Sequence, residues 1–296
     1  MAKKKTKIVT HSGSFHPDDV FAVATLSHYI KGELEIVRSR EKNDWKTGDF
    51  VIDVGGEYDE AINHFDHHQI GGAGKRENGI PFASFGLVWK KFGPLICDSD
   101  TVSGEIDRKL VQQIDALDNG VDIIKPLMAE IYPYLVGNVI FSYLPTWKDE
   151  MTEDEAFLSA VDFARSLLAR EIKHTRDREE GKSHVAIAYE NSDDKRIIIL
   201  ERDYPWGEIM SRYPEPLLVV YPQGSNWHVK TVRSDMRSFG SRIQFPQSWA
   251  GTRDAELQKV SKVDDAIFCH TKRFLVVAKT REGAVTLAKK TISGET

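Results

Sequence analysis

The chain has 296 residues, of which 41% are hydrophobic and 29% are charged, with a net charge of −5 and a sequence pI near 6.1. This length can bury one large hydrophobic core or two ordinary ones, and two domains are the better expectation. The acidic balance argues against a protein coated with basic residues for nucleic-acid binding. A local basic groove remains compatible with it, because acids that surround metal ions lower the total charge.

Cysteine use and the start of the chain bear on the cellular compartment. The two cysteines, Cys97 and Cys269, lie far apart and belong to no paired spacing, which favours a reducing compartment without disulfides. Residues 1–7 are basic, but no apolar region of signal-peptide length follows them, and no run reaches the length of a transmembrane helix. We therefore expect a cytoplasmic protein without membrane association, whose basic start is a solvated tail or, less favoured, a nucleic-acid contact. The sequence sets no oligomeric state.

Strand and helix patterns alternate in the first part of the chain. The predicted strands are residues 8–10, 34–38 and 50–54, and the predicted helices are residues 17–30, 82–92, 102–117 and 153–178. This alternation predicts a parallel sheet with crossover helices, and ligands bind such sheets at the carboxyl ends of the strands. The glycine-containing stretch 70–81, which holds Lys75 and Arg76, is predicted to be a loop and a candidate lid.

The pattern changes after Gly181. Short strands are predicted at residues 185–189, 196–200, 217–221, 227–232, 266–269 and 274–278, followed by a helix at 281–290. The predicted fold class is therefore α/β. A mostly parallel sheet with flanking helices (1–182) precedes a smaller α/β domain (183–296).

Histidines and aspartates collect at the predicted strand ends. The candidate residues are His11, His16, Asp18, Asp53, Asp66, His67, His68 and Asp115. Mixed nitrogen and oxygen ligands are typical of sites for divalent transition metals. Two such ions close together can clamp a phosphate and activate a water, so these residues predict two adjacent metal sites for phosphoester cleavage.

The candidates also have plain structural interpretations, and His11 alone could be an ordinary hydrogen-bonded histidine. Asp18 and Asp19 suit the first turn of a helix, where carboxylates cap free amides. Asp53 could cap a turn, and Asp115 and Asp118 could be surface acids at a helix end. The collection of ligand-type residues at several separate strand ends favours metal binding.

The adjacent histidines in the run His64-Phe65-Asp66-His67-His68-Gln69 need separate roles. In an extended segment, the rings of His67 and His68 would point to opposite sides. We therefore expect one of them to bind metal and the other to face the phosphate as a hydrogen-bond donor, acid or base.

Arginines and aromatic residues alternate in one segment of the second half. Arg233, Arg237 and Arg242 lie near Phe239 and Phe245 in sequence, a pattern typical of single-strand binding. The alternative is a solvated edge with one core phenylalanine.

The motifs together resemble those of the Myg-type (melanocyte proliferating gene) family. They are Thr10-His11-x-Gly13-x-Phe15-His16-x-Asp18-Asp19, Asp53-Val54-Gly55-Gly56-Glu57-Tyr58-Asp59, Phe65-Asp66-His67-His68-Gln69 and Asp115-Ala116-Leu117-Asp118-Asn119-Gly120. In the second half, Trp206, Arg237-Ser238-Phe239-x-Ser241-Arg242, Trp249-Ala250-Gly251 and Arg281-Glu282-Gly283-Ala284 fit the same family. Members are described as metal-dependent 3′–5′ RNA exonucleases, and the family is similar to the DHH phosphoesterases.

The resemblance implies a role for each motif residue. His11, His16 and Asp18 would form the first metal motif, and Asp53 would bridge two ions. His67 would be the third-motif ligand, with His68 nearer the substrate and Asp66 supporting it. Asp115 would be the fourth-motif ligand, with Asp118 as the competing candidate. The implied substrate-binding residues are Arg233, Arg237, Ser238, Phe239, Arg242 and Arg281.

The sequence departs from the patterns of these related proteins at two places. His16 stands where DHH proteins commonly carry an aspartate, with a spacing one residue longer. Residues 276–279 read Val-Val-Ala-Lys where some relatives have Gly-Gly-His-His.

The cluster of ligand-type residues therefore predicts a metal-dependent phosphodiesterase, and the resemblance implies that it acts as a 3′–5′ exonuclease on single-stranded RNA or short oligonucleotides. Two divalent ions are expected, with Mn²⁺ favoured and Mg²⁺ or Zn²⁺ as alternatives. The competing hypotheses are a small-molecule phosphohydrolase that acts on a nucleotide or pyrophosphate, and a metal-binding protein without turnover.

Overall fold

A computed structural model describes residues 5–235 and 240–294. The chain divides into two compact units between Arg176 and Asp177, each with its own five-stranded sheet. The predicted mixed α/β fold class, with helices flanking the sheets and a mostly parallel first sheet, is confirmed.

The first unit alternates strands and helices as predicted, with two additional short strands. Its elements are β1 (Thr6–Thr10), α1 (Pro17–Tyr29), β2 (Leu34–Arg38), α2 (Lys42–Trp45), β3 (Phe50–Ile52), β4 (Tyr58–Asp59), β5 (His64–Phe65), α3 (Ser84–Cys97), α4 (Asp100–Ile106), a π-helical turn (Asp107–Val111), α5 (Gln112–Asp118), α6 (Val136–Phe141) and the start of α7 (Glu153–Glu190). The sheet order is β2-β1-β3-β5-β4, and only the β4–β5 pair is antiparallel.

Helix α1 lies inside the core of the first unit. Every residue from Pro17 to Leu26 is buried, and the Phe21 ring packs 5.3 Å from the ring of Phe85 on α3. The apolar run of α1 is therefore covered on all sides. Asp18 and Asp19, in its first turn, are withdrawn from water together with it.

The second unit is smaller and mostly antiparallel. Its elements are β6 (Ile197–Ile199), α8 (Gly207–Arg212), β7 (Leu218–Gln223), β8 (Asn226–Thr231), a 3₁₀ turn (Gln247–Trp249), α9 (Asp254–Ser261), β9 (Ala266–Cys269), β10 (Leu275–Ala278) and α10 (Arg281–Ser293). The sheet order is β6-β7-β8-β10-β9, with a parallel β6–β7 pair. Fully buried Phe245 and Trp249 belong to its core.

The predicted strand at 185–189 is wrong, because these residues form the end of helix α7. Val185 is fully buried and Ala188 packs beside it, whereas Ile187 is 53% exposed. A strand would place Val185 and Ile187 on one face, but the observed i, i+3 pattern is helical. Gly181 does not end the helix either. A Cβ atom there would lie 2.8 Å from Cδ of Pro205, so the glycine permits a close approach.

In the described parts of the chain, no helix combines the length and the apolar character needed to cross a membrane.

Candidate metal centre

Parallel strands deliver the main candidate side chains to one edge of the first sheet. His11 directly follows β1, Asp53 directly follows β3, and the Asp66–His68 segment directly follows β5. Because these three strands are parallel, their carboxyl ends meet at the same edge. The N-terminal turn of α1 adds Asp18 there.

Asp53 lies at the centre of the cluster. Its backbone adopts a left-handed conformation with φ of 53°, which aspartate tolerates better than most residues. Ser84 Oγ donates a hydrogen bond to Asp53 Oδ1 over 3.1 Å. Oδ2 lies 3.4 Å from Nε2 of His11, and Oδ1 lies 3.4 Å from Nε2 of His67. One carboxylate therefore presents its two oxygens to two different histidines.

The two neighbouring aspartates of α1 have different roles. Oδ1 of Asp19 accepts hydrogen bonds from the backbone N–H groups of His16 and Val20, at 2.9 and 2.7 Å. Asp19 is therefore the helix-capping residue, and its Oδ2 lies 3.1 Å from Nε2 of His11. Neither carboxylate oxygen of the fully buried Asp18 has a hydrogen-bond partner among the described residues. The capping interpretation thus fits Asp19 and leaves Asp18 available as a ligand.

His67 lies between Asp53 and two further aspartates, Asp18 and Asp118. Its Nε2 lies 3.1 Å from Oδ2 of Asp118 and 3.8 Å from Oδ2 of Asp18. The potential ligand atoms form overlapping groups within 4.8 Å. These groups are His11–His16–Asp53, Asp53–His67–His68 and His16–Asp18–Asp118. The structure therefore contains histidine and aspartate clusters that could bind metal ions.

The unpaired buried atoms of the cluster fit a cation. Nε2 of His11, Nε2 of His67, both carboxylate oxygens of Asp18 and Oδ2 of Asp19 are buried without hydrogen-bond partners among the described residues. Several of these atoms are close neighbours, yet their geometry does not satisfy an N–H···O bond. Leaving a buried polar group unsatisfied costs about 1–3 kcal/mol. A divalent ion would satisfy several of these groups at once, and mixed imidazole and carboxylate ligands suit Mn²⁺ or Zn²⁺.

The pKa values of the cluster residues reflect a local excess of negative charge. Burial raises the pKa of Asp18 well above its ordinary value, and the nearby Asp53 and Asp118 charges raise it further. Burial lowers the pKa of His11, but the nearby carboxylates of Asp19 and Asp53 outweigh it and raise that pKa to about 10. His67 behaves in the same way beside Asp118 and Asp53, with a pKa of about 10.

Metal binding is therefore expected to release protons at pH 8. Both His11 and His67 carry an extra proton at this pH in the metal-free protein, and an imidazole must lose that proton to bind an ion. Mn²⁺ titrated calorimetrically into the protein, in buffers of different ionisation enthalpy, should show a net release of protons to which both imidazoles contribute. A heat independent of the buffer would contradict the assignment of both histidines as ligands.

Asp66 orients the two adjacent histidines. Its Oδ1 accepts hydrogen bonds from the backbone N–H groups of His67 and His68, at 2.7 and 3.1 Å, and its Oδ2 accepts from the N–H of Gly56 at 2.6 Å. The ring centroids of His67 and His68 are 4.2 Å apart, and both rings approach Asp53 Oδ1. The expectation that the rings point to opposite sides is wrong, because this hydrogen-bonded turn replaces an extended segment.

His68 is the exposed member of the pair, with 61% of its side chain accessible. Its Nδ1 lies 2.8 Å from Asp66 Oδ1. The hydrogen bond to Asp66 is the main reason that the pKa of His68 is raised, although burial opposes it. This arrangement favours a protonated His68.

Asp115, the predicted fourth-motif ligand, has its carboxylate engaged elsewhere. Arg76 Nη1 donates to Oδ2 over 2.7 Å, and the backbone N–H of Gly86 donates to Oδ1 over 3.0 Å. Burial raises the pKa of Asp115 to about 7, while Arg76 opposes this rise. Asp118, and not Asp115, approaches His67. The structure thus assigns Asp115 to an ion pair with Arg76.

The Arg76–Asp115 ion pair also attaches the glycine-containing stretch 70–81 to the rest of the first unit. Arg76 is also bound to Asp107 in the π-helical turn, and its guanidinium lies 4.3 Å above the Phe82 ring. The Arg76 N–H donates to Ile80 O over 2.9 Å. Arg76 therefore anchors this loop to the first unit, so a role for this residue in a moving lid does not fit.

The structure places the predicted substrate-binding residues of the second unit in different surroundings. Arg237, Ser238 and Phe239 lie outside the described residues. Arg242 donates to the backbone carbonyls of Ser211, Tyr213 and Pro216, so its guanidinium anchors a loop and does not fit a substrate-binding role. Arg233 lies in a short antiparallel bridge with Ser241.

Arg281 is exposed at the start of α10 and lines a cavity of about 550 Å³ within the second unit. The backbone and hydroxyl of Thr280 donate to the Asp265 carboxylate, at 2.8 and 2.6 Å. A Cβ atom at Gly283 would lie 2.0 Å from Oδ1 of Asp265. The glycine of this Thr-Arg-Glu-Gly motif thus makes room for a carboxylate at the helix start.

Two residues at the cluster went unpredicted by sequence reasoning. Arg40 and Trp45 line a cavity of about 310 Å³ together with His11, Asp53 and Gly55. Their position shortly after β2, at the carboxyl edge of a parallel sheet, is the signal that could have identified them.

The fold and the cluster define an α/β protein with a buried histidine–aspartate centre able to hold metal ions. The family model MYG1_exonuc, described as "Uncharacterised protein family (UPF0160)", matches residues 7–292. The chain belongs to this family, which confirms the resemblance that its motifs indicate.

Curated relatives match over most of the chain. "MYG1 protein C694.04c" of Schizosaccharomyces pombe is 28% identical over 315 residues, which cover 97% of each chain. The human protein named "MYG1 exonuclease" is 29% identical over 334 residues, covering 97% of this chain and 86% of the human one. The mouse protein of the same name is 28% identical over 326 residues, covering 97% and 85% of the two chains.

Proposed function

We propose that this protein is a metal-dependent phosphodiesterase that acts as a 3′–5′ exonuclease on single-stranded RNA or short oligonucleotides. The observation that carries the proposal is the geometry at Asp53, whose two carboxylate oxygens face His11 and His67 separately. A carboxylate in this position is suited to bridge two ions, which is the arrangement that phosphoester cleavage uses in two-metal enzymes. The names of the human and mouse relatives support nucleic acid as the substrate class.

The ligand atoms divide into two sets that share Asp53. One set contains His11, His16 and Asp53. The other contains Asp18, Asp53, His67 and Asp118, because His67 Nε2 lies within 3.8 Å of a carboxylate oxygen of each of these aspartates. Asp118 thereby replaces Asp115 in the assignment. We assign two divalent ions to these sets, with Mn²⁺ favoured by the mixed ligands and Mg²⁺ or Zn²⁺ as alternatives.

Ions bound there would supply positive charge for the phosphate and a nucleophile at neutral pH. The surrounding residues hold the ligands in position. Ser84 fixes one oxygen of Asp53, and burial of Asp18 and Asp53 keeps bulk water away from them. These constraints preorganise the cluster, so little rearrangement is needed when a phosphate arrives.

His68 and Asp66 act together in this proposal. Asp66 accepts four hydrogen bonds, from three backbone N–H groups and from Nδ1 of His68. It is therefore a positioning residue and not an acid or base. His68 is exposed beside the cluster, where its Nε2 can donate to the phosphate or to the leaving oxygen.

We assign substrate binding to the second unit, and Arg281 is the described residue that best fits it. It is exposed, and arginine suits phosphate because its planar fork makes paired hydrogen bonds. Arg233, together with Arg237, Ser238 and Phe239, completes the proposed strand-binding residues.

The test is cleavage of short RNA labelled at either end, in the presence of Mn²⁺. Stepwise shortening from the 3′ end is the expected result, and the matched DNA strand tests the preference for RNA. Binding should weaken with salt and tighten with oligonucleotide length. Cleavage of nucleotides or pyrophosphate alone, without length dependence, would indicate a small-molecule phosphohydrolase. Bound metal without any hydrolysis would indicate a metal-binding protein.

A further inference from the structure

The cavity beside His11 has two lining residues that the proposed metal ligands do not explain. They are Arg40, in the loop after β2, and Trp45, at the end of α2. The same cavity is lined by His11, Asp53 and other residues of the metal cluster. A molecule that fills this cavity therefore lies beside the cluster, an arginine and an indole.

Arg40 lines this cavity without a neutralising partner among the described residues. Its Nε donates to the carbonyl oxygen of Ser12 over 3.1 Å, and its Nη2 lies 3.3 Å from Nδ1 of His11. The residue is exposed, and no carboxylate of residues 5–235 or 240–294 forms an ion pair with it. Of the described residues that line the cavity, Arg40 alone carries a permanent positive charge.

The nearby Arg38 shows how differently a structural arginine is bound. Its Nη1 donates to Asp154 over 2.8 Å, and its guanidinium lies 4.7 Å above the Phe157 ring. Only 2% of its side chain is accessible. Arg38 is buried and paired with a carboxylate, whereas the guanidinium of Arg40 is exposed and retains N–H groups that can bind an anion.

Trp45 gives the cavity an apolar aromatic surface. Its indole Nε1 donates to the carbonyl oxygen of Ser39 over 3.3 Å, which fixes the ring. A Cβ atom at Gly55 would lie 3.8 Å from Cε3 of the indole, so the ring packs beside the backbone of the Gly55-Gly56 turn. The indole is partly exposed and lines the cavity.

We propose that Arg40 and Trp45 form a nucleotide-binding subsite of the metal centre, in which Arg40 binds a phosphate group and Trp45 contacts the adjoining base. The inference rests on the proposed function and deepens it by naming the residues that recognise the terminal nucleotide. A guanidinium matches the geometry of a phosphate, and an aromatic ring accepts any base on its face. The volume of about 310 Å³ lies at the small end of ligand sites, which favours a single nucleotide unit.

The experiment compares two probes on the protein loaded with Mn²⁺: inorganic phosphate and adenosine 5′-monophosphate. Arg40→Ala should weaken the binding of both probes by about 10- to 100-fold, because both use the guanidinium. Trp45→Ala should weaken binding of the nucleotide by about tenfold and leave phosphate binding within about twofold, because only the nucleotide has a base. Arg40→Lys and Trp45→Phe should each retain part of the lost affinity.

Lys46→Ala is the matched control, because it removes an exposed positive charge next to Trp45 that does not line the cavity. It should leave both affinities unchanged. The manganese content of every variant should equal that of the wild type. Loss of manganese in Arg40→Ala would overturn the inference, because Arg40 would then act through His11.

Unchanged phosphate binding in Arg40→Ala, or an equal loss of both probes in Trp45→Ala, would also overturn it. These outcomes are separate from failure of the proposed function. If the wild type hydrolyses RNA and the Arg40→Ala variant binds both probes as the wild type does, only the proposed subsite is contradicted. A wild type that binds the nucleotide through Arg40 but hydrolyses no phosphodiester contradicts the proposed activity and supports the subsite.

Discussion

Replacement of Asp53 with asparagine is expected to reduce phosphodiester hydrolysis by about a thousandfold or more. The substitution keeps the shape of the side chain and tolerates the left-handed backbone at this position. It removes the negative charge that both proposed ligand sets share, so neither ion would be held in its place. The rate of RNA shortening and the manganese content, measured on the same preparations, would show the effect.

The control for Asp53→Asn is Asp162→Asn, which removes a carboxylate on α7 whose side chain is 75% exposed. This control should retain full activity. Circular dichroism and thermal unfolding of Asp53→Asn should resemble those of the metal-free wild type. Full metal-dependent activity in Asp53→Asn would contradict the bridging role of this residue.

The second large effect is expected at Asp118, and the same substitution at Asp115 should have a different consequence. Asp118→Asn removes the negative charge of the carboxylate that lies 3.1 Å from His67 Nε2, so we expect loss of manganese from that ligand set and a decrease in activity of about a hundredfold or more. Asp115→Asn should retain the metal, because its carboxylate binds Arg76 and the Gly86 N–H. Its free energy of unfolding should instead decrease by about 1–3 kcal/mol, since buried charged hydrogen bonds are weakened.

Elemental analysis and urea unfolding of the two variants measure these quantities directly. Asparagine is the replacement in both variants, so each serves as the control for the other. The reverse result, with metal lost in Asp115→Asn and retained in Asp118→Asn, would restore Asp115 as the fourth-motif ligand.

Sequence reasoning predicts the edge of the sheet where the cluster lies, because strand patterns and parallel pairing are local rules. His11 and Asp53 follow short apolar runs, and β1 and β3 are indeed parallel neighbours. The choice between Asp115 and Asp118 could not be predicted in this way. The two residues are three apart on one helix, so they share roughly the same face. Arg76, 39 positions away, decides between them by binding Asp115.

Two further differences arise from contacts that local patterns do not contain. The residues at 185–189 have the composition of a strand, but they continue a long helix whose close approach to Pro205 depends on Gly181. The rings of His67 and His68 share a side because the carboxylate of Asp66 binds both backbone N–H groups. A sequence pattern assumes an extended chain there, whereas one side-chain acceptor is enough to bend it.

The most direct measurement of the metal centre is an anomalous difference map at the manganese absorption edge, from crystals grown with Mn²⁺. We predict two peaks that flank Asp53, one near His11 and His16 and the other near Asp18, His67 and Asp118. Solution manganese content should agree at two ions per chain. The absence of anomalous peaks at Asp53, in protein saturated with Mn²⁺, would contradict the assignment of this cluster as a metal centre.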